Sequence, residues 1–314
     1  MIIKKNLIII LCILGLLISV IVDYTTLKPQ NVELKKIIPS KSTTIFAAYS
    51  ESGFISDYVV SYLKSLKEIT PNIIYITDNP ISKKEIRKIS PYVNHIIAQK
   101  HGEYDWGSFK RGYQLLKSKN YFTSPKNTSP VLILANDSTL PLTQNFKPIL
   151  KDMDKKQADF YGITSSLDGT YHIQSYFLIL NPNLYTTKEF ETYLNSVQKQ
   201  PDGLHVAYRY EVPFTQYFAS LGFKHATFIA HEDLAYLPLN DKTCYPLTLM
   251  TKHNLPFLKM RTFTNRLTVQ EPRRLVFSWL KQHRHKAYKQ LIRHLKRIDS
   301  PYLKENHEWK KNPT

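Results

Sequence analysis

Cysteine is nearly absent from this sequence, with two in 314 residues, Cys12 and Cys244. Cys12 lies inside an apolar run, so the pair excludes a disulfide framework, and nothing in the chain depends on an oxidising compartment. Glycine is scarce as well, with nine residues. Neither GxGxxG nor GxxxxGK[ST] occurs, which excludes the dinucleotide fingerprint and the P-loop as phosphate cradles. Acids are outnumbered, 25 against 43 Lys and Arg, giving a formal net charge of +18. That excess bears on solubility and partners, not on fold. No helix-turn-helix, zinc-finger or RNA-binding signature accompanies it, so nucleic acid is not expected as a partner. His231-Glu232-Asp233 lacks the HExxH spacing and reads as a loop rather than a zinc site. Hydrophobic residues make up 42%, ordinary for a folded protein. A chain of this length can bury one large α/β core or two modest domains.

One long apolar run is present, Asn6–Val22, NLIIILCILGLLISVIV. Its length is at the lower end of the roughly 17–25 residues that span a bilayer. No small-residue cleavage pattern follows, so residues 1–23 are expected to be an uncleaved single-pass anchor rather than a removed secretory signal. Lys4 and Lys5 precede it, while Lys28, Lys35, Lys36 and Lys41 follow. That bias favours a globular part on the cytoplasmic side. Residues 24–42, polar and carrying Pro29 and Pro39, read as a linker.

Strands and helices then alternate. Thr44–Tyr49, Asn72–Thr77, Val93–Ala98 and Val131–Ala135 are short apolar runs of strand type. Ser56–Glu68 and Ser82–Ile89 separate the first three at helical spacing, and a third helix runs to about Lys119. This pattern predicts an α/β fold with a mixed, mostly parallel sheet flanked by helices. Ligands of such sheets collect outside the carboxyl ends of the strands. Those ends carry Ser50 and Glu51, then Asp78 and Asn79, then the turn His101–Asp105, then Asn136-Asp137-Ser138. The third opens HGEYDWGSFKRGY (His101–Tyr113), which mixes carboxylates, cations, aromatics and glycines. A bound polar ligand needs that mixture, although a capped helix start accounts for much of it.

The second half is less regular. Asp159–Thr164 and Tyr171–Leu180 read as antiparallel or mixed strands joined at Leu167-Asp168-Gly169. His172, Gln174 and Tyr176 would share one face, bonding each other or facing a ligand. Thr187–Gln198 reads as a helix, and Arg209–Leu221 as a turn and helix with Glu211 at its start. Pro256–Phe263 places Lys259 and Arg261 at alternate positions of an extended segment.

Taken in order, TDNP, HGEYDWGSFKRGY, LANDSTLPL, DFYGIT, HIQSYFLILN, the Glu211 helix ending in LGF, and PFLKMRTF resemble the rhamnan synthesis protein F family. These are bacterial glycosyltransferases of surface polysaccharide assembly, and the resemblance covers residues 43–264. Many relatives carry Asn and Gly where this chain has His101 and Glu103, a departure that bears on which sugar or nucleotide is bound. The resemblance implies a GT-A-like domain that moves rhamnose or a related sugar from a nucleotide-sugar donor. The implied acceptor is a cell-surface polysaccharide or lipid-linked glycan at the bacterial inner membrane. Sugar nucleotides are made in the cytosol, so the catalytic domain is expected there.

Such a transfer needs its leaving diphosphate neutralised and its acceptor hydroxyl deprotonated. By the resemblance, Asp137, flanked by Asn136 and Ser138, takes the place of an acidic pair that holds Mg2+ or Mn2+. Alternatively Lys259 and Arg261, with Lys110 or Arg111, hold the diphosphate without a metal. Asp105 would bond ribose or sugar hydroxyls, and Trp106 or Tyr104 would stack on a ring, unless they pack the core. Asp78, Asn79, His172 and Gln174 are expected substrate contacts. Glu211 is the expected general base, against the reading of a carboxylate stabilised by a helix dipole. The missing second acid also permits a different class of protein, one that binds carbohydrate or nucleotide sugar without turnover.

Residues 265–314 stand apart in composition, with no acid from Pro272 to Ile298. Val276, Leu280, Ala287, Leu291 and Leu295 recur on one helical face. A basic amphipathic helix docking on anionic lipid is expected, or a helix packed on the domain with its cations in solvent.

Overall fold

The computed structural model describes residues 28–39, 41–123, 130–265 and 269–303. The expected anchor lies outside them, and among the described residues no helix is long and apolar enough to cross a membrane. The strands are β1 (Gln30–Glu33), β2 (Thr43–Ala48), β3 (Asn72–Thr77), β4 (His95–Ala98), β5 (Leu132–Asn136) and β6 (Thr139–Pro141), then β7 (Phe160–Gly162), β8 (Ser165–Ser166), β9 (His172–Ile173), β10 (Phe177–Leu180), β11 (His225–Thr227) and β12 (Phe257–Lys259). The helices are α1 (Asp57–Lys67), α2 (Lys83–Ile89), α3 (Tyr104–Ser118), α4 (Lys147–Lys156), α5 (Pro182–Tyr185), α6 (Lys188–Asn195), α7 (Gly203–Val206), α8 (Val212–Ser220), α9 (Pro246–Lys252), α10 (Arg273–His283) and α11 (His285–Arg297).

Eight strands form the central sheet in the order β1-β4-β3-β2-β5-β10-β7-β11. The run β4-β3-β2-β5 is parallel, while β1, β10 and β7 introduce antiparallel pairs. Both faces are covered, which is why β2, β3 and β5 are buried along their whole length. Side chains alternate between two cores. Phe46, Ile73, Tyr75 and Ile133 join the core under α1, and Ile45, Ile74, Ile76 and Leu132 join the one under α3. Helix α3 lies so close to β2 that a Cβ on Gly112 would stand 2.5 Å from Cγ2 of Ile45. Only glycine permits that approach.

Three expectations change. The linker read over residues 24–42 contributes β1, which pairs with β4 from Gln30↔Ala98 to Glu33↔His95. Further along it, the Asn72 side chain bonds the backbone of Ile38 in both directions, at 3.0 and 2.8 Å. Tyr171–Leu180 is two strands, β9 and β10, broken by a turn at Ser175-Tyr176. The basic C-terminal segment is two helices meeting at Arg284, not a helix apart from the domain. Its apolar face, with Val276, Leu280, Leu291 and Leu295 fully buried, belongs to the α1 core. Gln290 donates to Ser61 Oγ at 2.6 Å, and His294 Nδ1 meets Ser56 Oγ at 2.8 Å. That face is therefore not free to enter lipid, and α10 and α11 share a core with the rest.

Candidate active site

The order of strands reverses between β2 and β5, and their carboxyl ends flank the crevice where open α/β sheets hold ligands. Asp137 is the first residue past β5. Its amide donates to the Ala47 carbonyl at 3.1 Å, and its own carbonyl accepts from the Tyr58 hydroxyl at 2.7 Å. Backbone pairing on both sides fixes where the carboxylate points. One oxygen, Oδ2, accepts from the Tyr49 amide at 2.9 Å, whereas Oδ1 accepts no hydrogen bond among the described residues. Burial pushes the carboxyl up to about 7; the Tyr49 amide pulls it down and the neighbouring Asp105 pushes it further up.

Asp105 enters from the first turn of α3. Its Oδ2 accepts from Asn136 Nδ2 at 2.9 Å, and Asn136 Oδ1 takes up the Ser138 hydroxyl at 2.6 Å. Asn136 is thus the strut joining α3 to the end of β5. Burial, then the charge of Glu211, raise Asp105 to about 6, against the opposing bond from Asn136. Two carboxyls so raised hold their protons into the neutral range and gain from a nearby cation.

Both face a cleft of about 560 Å³, shared with Asp78, Lys100, Tyr104 and the segment Lys199–Pro201. Asp78 Oδ1 caps the next loop through the amides of His101 and Gly102, at 2.6 and 2.8 Å, and Lys100 stands 3.7 Å from Oδ2. Tyr104 adopts φ of 57°, a conformation unusual outside glycine, and the residue is 41% exposed at the cleft.

Several expected contacts lie elsewhere. Asn79 turns back to accept from Thr77 Oγ1 and the Ser50 amide, so it closes the turn and does not line the cleft. Trp106 is 1% exposed and packs against Phe109, Tyr193, Tyr210 and Phe214. It is core; Tyr104 is the aromatic of this turn that a ligand can meet. Replacing Trp106 with alanine should cost about 3–5 kcal/mol in a urea melt. Phenylalanine there should cost under about 1.5 kcal/mol, since Nε1 makes no hydrogen bond among the described residues. Lys110 donates to the Val197 carbonyl at 2.6 Å and to Glu103 at 3.0 Å, away from the cleft. Arg111 holds the other oxygen of Glu103, so Glu103 ties α3 together. His101 is driven down to about 4 by burial and by Arg111, and is neutral at pH 7. Its Nδ1 accepts from the Glu103 amide, which leaves Nε2–H to donate to Ser108 Oγ at 3.1 Å.

A second group of polar residues stands beyond Asp105. Glu211 is not at a helix start. It closes a π-helical turn, Ala207–Glu211, inside a run continuous from α7 to α8. Pro213 has no amide to offer the Arg209 carbonyl, and the widened turn, with Val212 N bonded to Ala207 O, absorbs the gap. Glu211 accepts from Ser175 Oγ, and His172 Nε2 stands 3.7 Å from its other oxygen. His172 Nδ1–H donates to the Thr170 carbonyl at 2.8 Å, orienting the ring. Gln174 Oε1 instead accepts from Thr164 Oγ1 at 2.7 Å, and the Tyr176 hydroxyl meets the same Oγ1 at 2.8 Å.

Lys259 ends β12, which pairs with β6 at Thr139, so it flanks the Asp137 turn. Its ammonium lies 5.1 Å from the Tyr176 ring centre and makes no hydrogen bond among the described residues. Burial lowers its pKa against the pull of Glu211, Asp105 and Asp168. Arg261 sits in the 3-10 turn after β12, held by Asp241 and by Thr243 Oγ1 at 2.9 Å. Lys199–Pro201 escaped notice in the sequence. The signal was there: Asp202 caps the following helix by accepting the His205 amide at 2.9 Å, as Asp before Gly predicts.

The oxygen donors suit a hard divalent cation held by one or two carboxylates, with the rest of its shell from diphosphate and water. Among the described residues no group of three or more His, Cys, Asp or Glu is placed to cage a metal alone. The raised carboxyl also makes a stability prediction. A carboxyl whose folded pKa is raised stabilises fully below its unfolded value near 4, and that contribution is lost as pH climbs through about 7. Asp137→Asn should therefore stabilise by about 1–3 kcal/mol at pH 8 and by almost nothing at pH 4, read from thermal melts.

A curated relative, an uncharacterized protein y4gN of Sinorhizobium fredii (strain NBRC 101917 / NGR234), is 23% identical over 205 residues. The match covers 62% of this chain and 50% of that protein, so the chain spans about half the length of its relative. Two solved structures are more distant. Core-mannan synthase A of Aspergillus fumigatus, in its Mn/GDP form, is 8% identical with a TM-score of 0.34, over 64% of this chain and 78% of that one. The glycosyltransferase GlyE of Streptococcus pneumoniae TIGR4 is 9% identical with a TM-score of 0.37, over 77% and 64%. The family model of rhamnan synthesis protein F matches residues 73–308, which takes in β3 to α11 and the whole cleft edge past β3. The chain belongs to the rhamnan synthesis protein F family.

Proposed function

We propose that this chain is a membrane-associated, nucleotide-sugar-dependent glycosyltransferase with a GT-A-like domain. It moves rhamnose or a related sugar onto a cell-surface polysaccharide or lipid-linked glycan. The observation that carries this reading is the meeting of Asp137, Asn136 and Asp105 at the β2/β5 crevice, above a cleft of about 560 Å³. The family membership supports it. In this reading Asp137 faces the donor diphosphate, and Mg2+ or Mn2+, when bound there with Asp105, neutralises the leaving group. Asp105 orients the sugar, Tyr104 stacks on a ring of the donor, and Asp78 shapes the wall with Lys100. Glu211, held by Ser175 beside His172, takes the proton of the acceptor hydroxyl. The apolar run Asn6–Val22 anchors the chain, with the catalytic part in the cytoplasm of a bacterium. The lone acid at Asn136-Asp137-Ser138 favours a second reading, a nucleotide-sugar-binding protein without turnover.

The test is release of nucleoside diphosphate from a panel of nucleotide sugars, with and without Mg2+ or Mn2+. Turnover of one donor supports the transferase. Saturable donor binding with no release supports the second reading, and no binding at all defeats both. A reporter fused after Thr314 that scores outside the cytoplasm would refute the orientation.

A further inference from the structure

Helix α11 presents opposite faces of opposite character. Ala287, Leu291 and Leu295, at four-residue spacing, are buried in the α1 core. On the other side Lys286, Lys289, Arg293, Lys296 and Arg297 recur at spacings of three and four, and all are exposed. Arg293 is paired with Asp57 at 2.9 Å, and Arg297 lies over the Phe54 ring. The three lysines have no ion pair among the described residues. Tyr288, the one Phe, Tyr or Trp of α11, is only partly exposed, so the face offers charge with little stacking platform for bases.

We propose that this face docks the protein on an anionic lipid surface by charge alone, its apolar counterpart being already used in the core. The occupant follows from complementarity: a broad row of unpaired ammonium groups fits a plane of phosphate headgroups. An apolar run of bilayer length in the same chain, Asn6–Val22, supplies the second attachment that lipid binding requires. The geometry adds a neighbour. His294 and Arg297 line a cavity of about 480 Å³ together with Tyr49 and Asp137. Docking by α11 therefore places the bilayer next to the helix that shares this cavity with Asp137. The inference does not depend on which reaction the cleft performs.

The experiment is co-sedimentation of the full chain with vesicles of phosphatidylcholine, alone or with about one-third phosphatidylglycerol. The apolar run contributes equally to both, so their difference isolates charge. At about 0.1 M salt the anionic vesicles should bind at least about tenfold more tightly, and at about 1 M salt the difference should vanish. The variant Lys286→Glu, Lys289→Glu, Lys296→Glu should lose the preference with an unchanged melting temperature. Equal binding to both vesicles, a preference that survives high salt, or one retained by the triple variant would overturn the proposal. So would duplex DNA competing the protein off anionic vesicles through the same three lysines. Should the triple variant misfold, the salt dependence of the wild type decides.

Discussion

Asp137→Ala is expected to lower sugar transfer by about 10²–10³-fold, with the donor still bound. The expectation rests on position. Asp137 leaves β5 with its backbone held by Ala47 and Tyr58 and one carboxylate oxygen held by the Tyr49 amide. The other oxygen accepts no hydrogen bond among the described residues, and the residue lines the cleft. Because the carboxyl sits near 7, activity should also rise with pH up to about that value in the absence of metal. A divalent cation favours the ionised form, so adding Mg2+ or Mn2+ should move that limb to lower pH. Transfer indifferent to Asp137→Ala would remove the cleft from the mechanism.

Glu211→Gln should be as damaging in a different way. A general base contributes about 10²–10⁴-fold, so kcat for transfer should fall by that much while the donor KM stays within about twofold. The isosteric amide keeps a partner for Ser175, which separates lost proton transfer from lost structure. Two readouts check the role. Slow donor hydrolysis by water should persist in Glu211→Gln, and the Asp105 carboxyl, relieved of a neighbouring negative charge, should titrate lower than about 6. If Glu211→Gln transfers sugar at the wild-type rate, the base lies elsewhere.

The parallel run of strands was legible because β2, β3 and β5 are buried on both faces and read as continuous apolar segments. Their polar carboxyl ends marked the edge on which Asp137 and Asp105 meet. Outcomes that depended on tertiary neighbours were not legible. Lys110 and Trp106 sit in the same helix as Asp105, but helical rotation turns them to Val197 and to the aromatic core. Asn79 follows Asp78 directly, yet its amide is needed to close the turn at Ser50. The basic helices looked autonomous because their charge was visible, whereas the depth of the groove beside α1 that receives Leu291 and Leu295 was not. Gln174 kept both readings until Thr164, ten residues earlier, proved to be its partner.

The widened turn before α8 makes the length of that helix a functional quantity. Each residue of an α-helix advances the side-chain direction by about 100°, so the surplus residue in Ala207–Glu211 sets the phase at which Glu211 meets Ser175. Removing one residue there would let the turn relax to ordinary pitch and swing the carboxylate off its target, though no side chain of the site had been altered. Relatives of this chain should therefore tolerate substitution at the exposed Tyr208 far better than a change in the number of residues between Asp202 and Pro213.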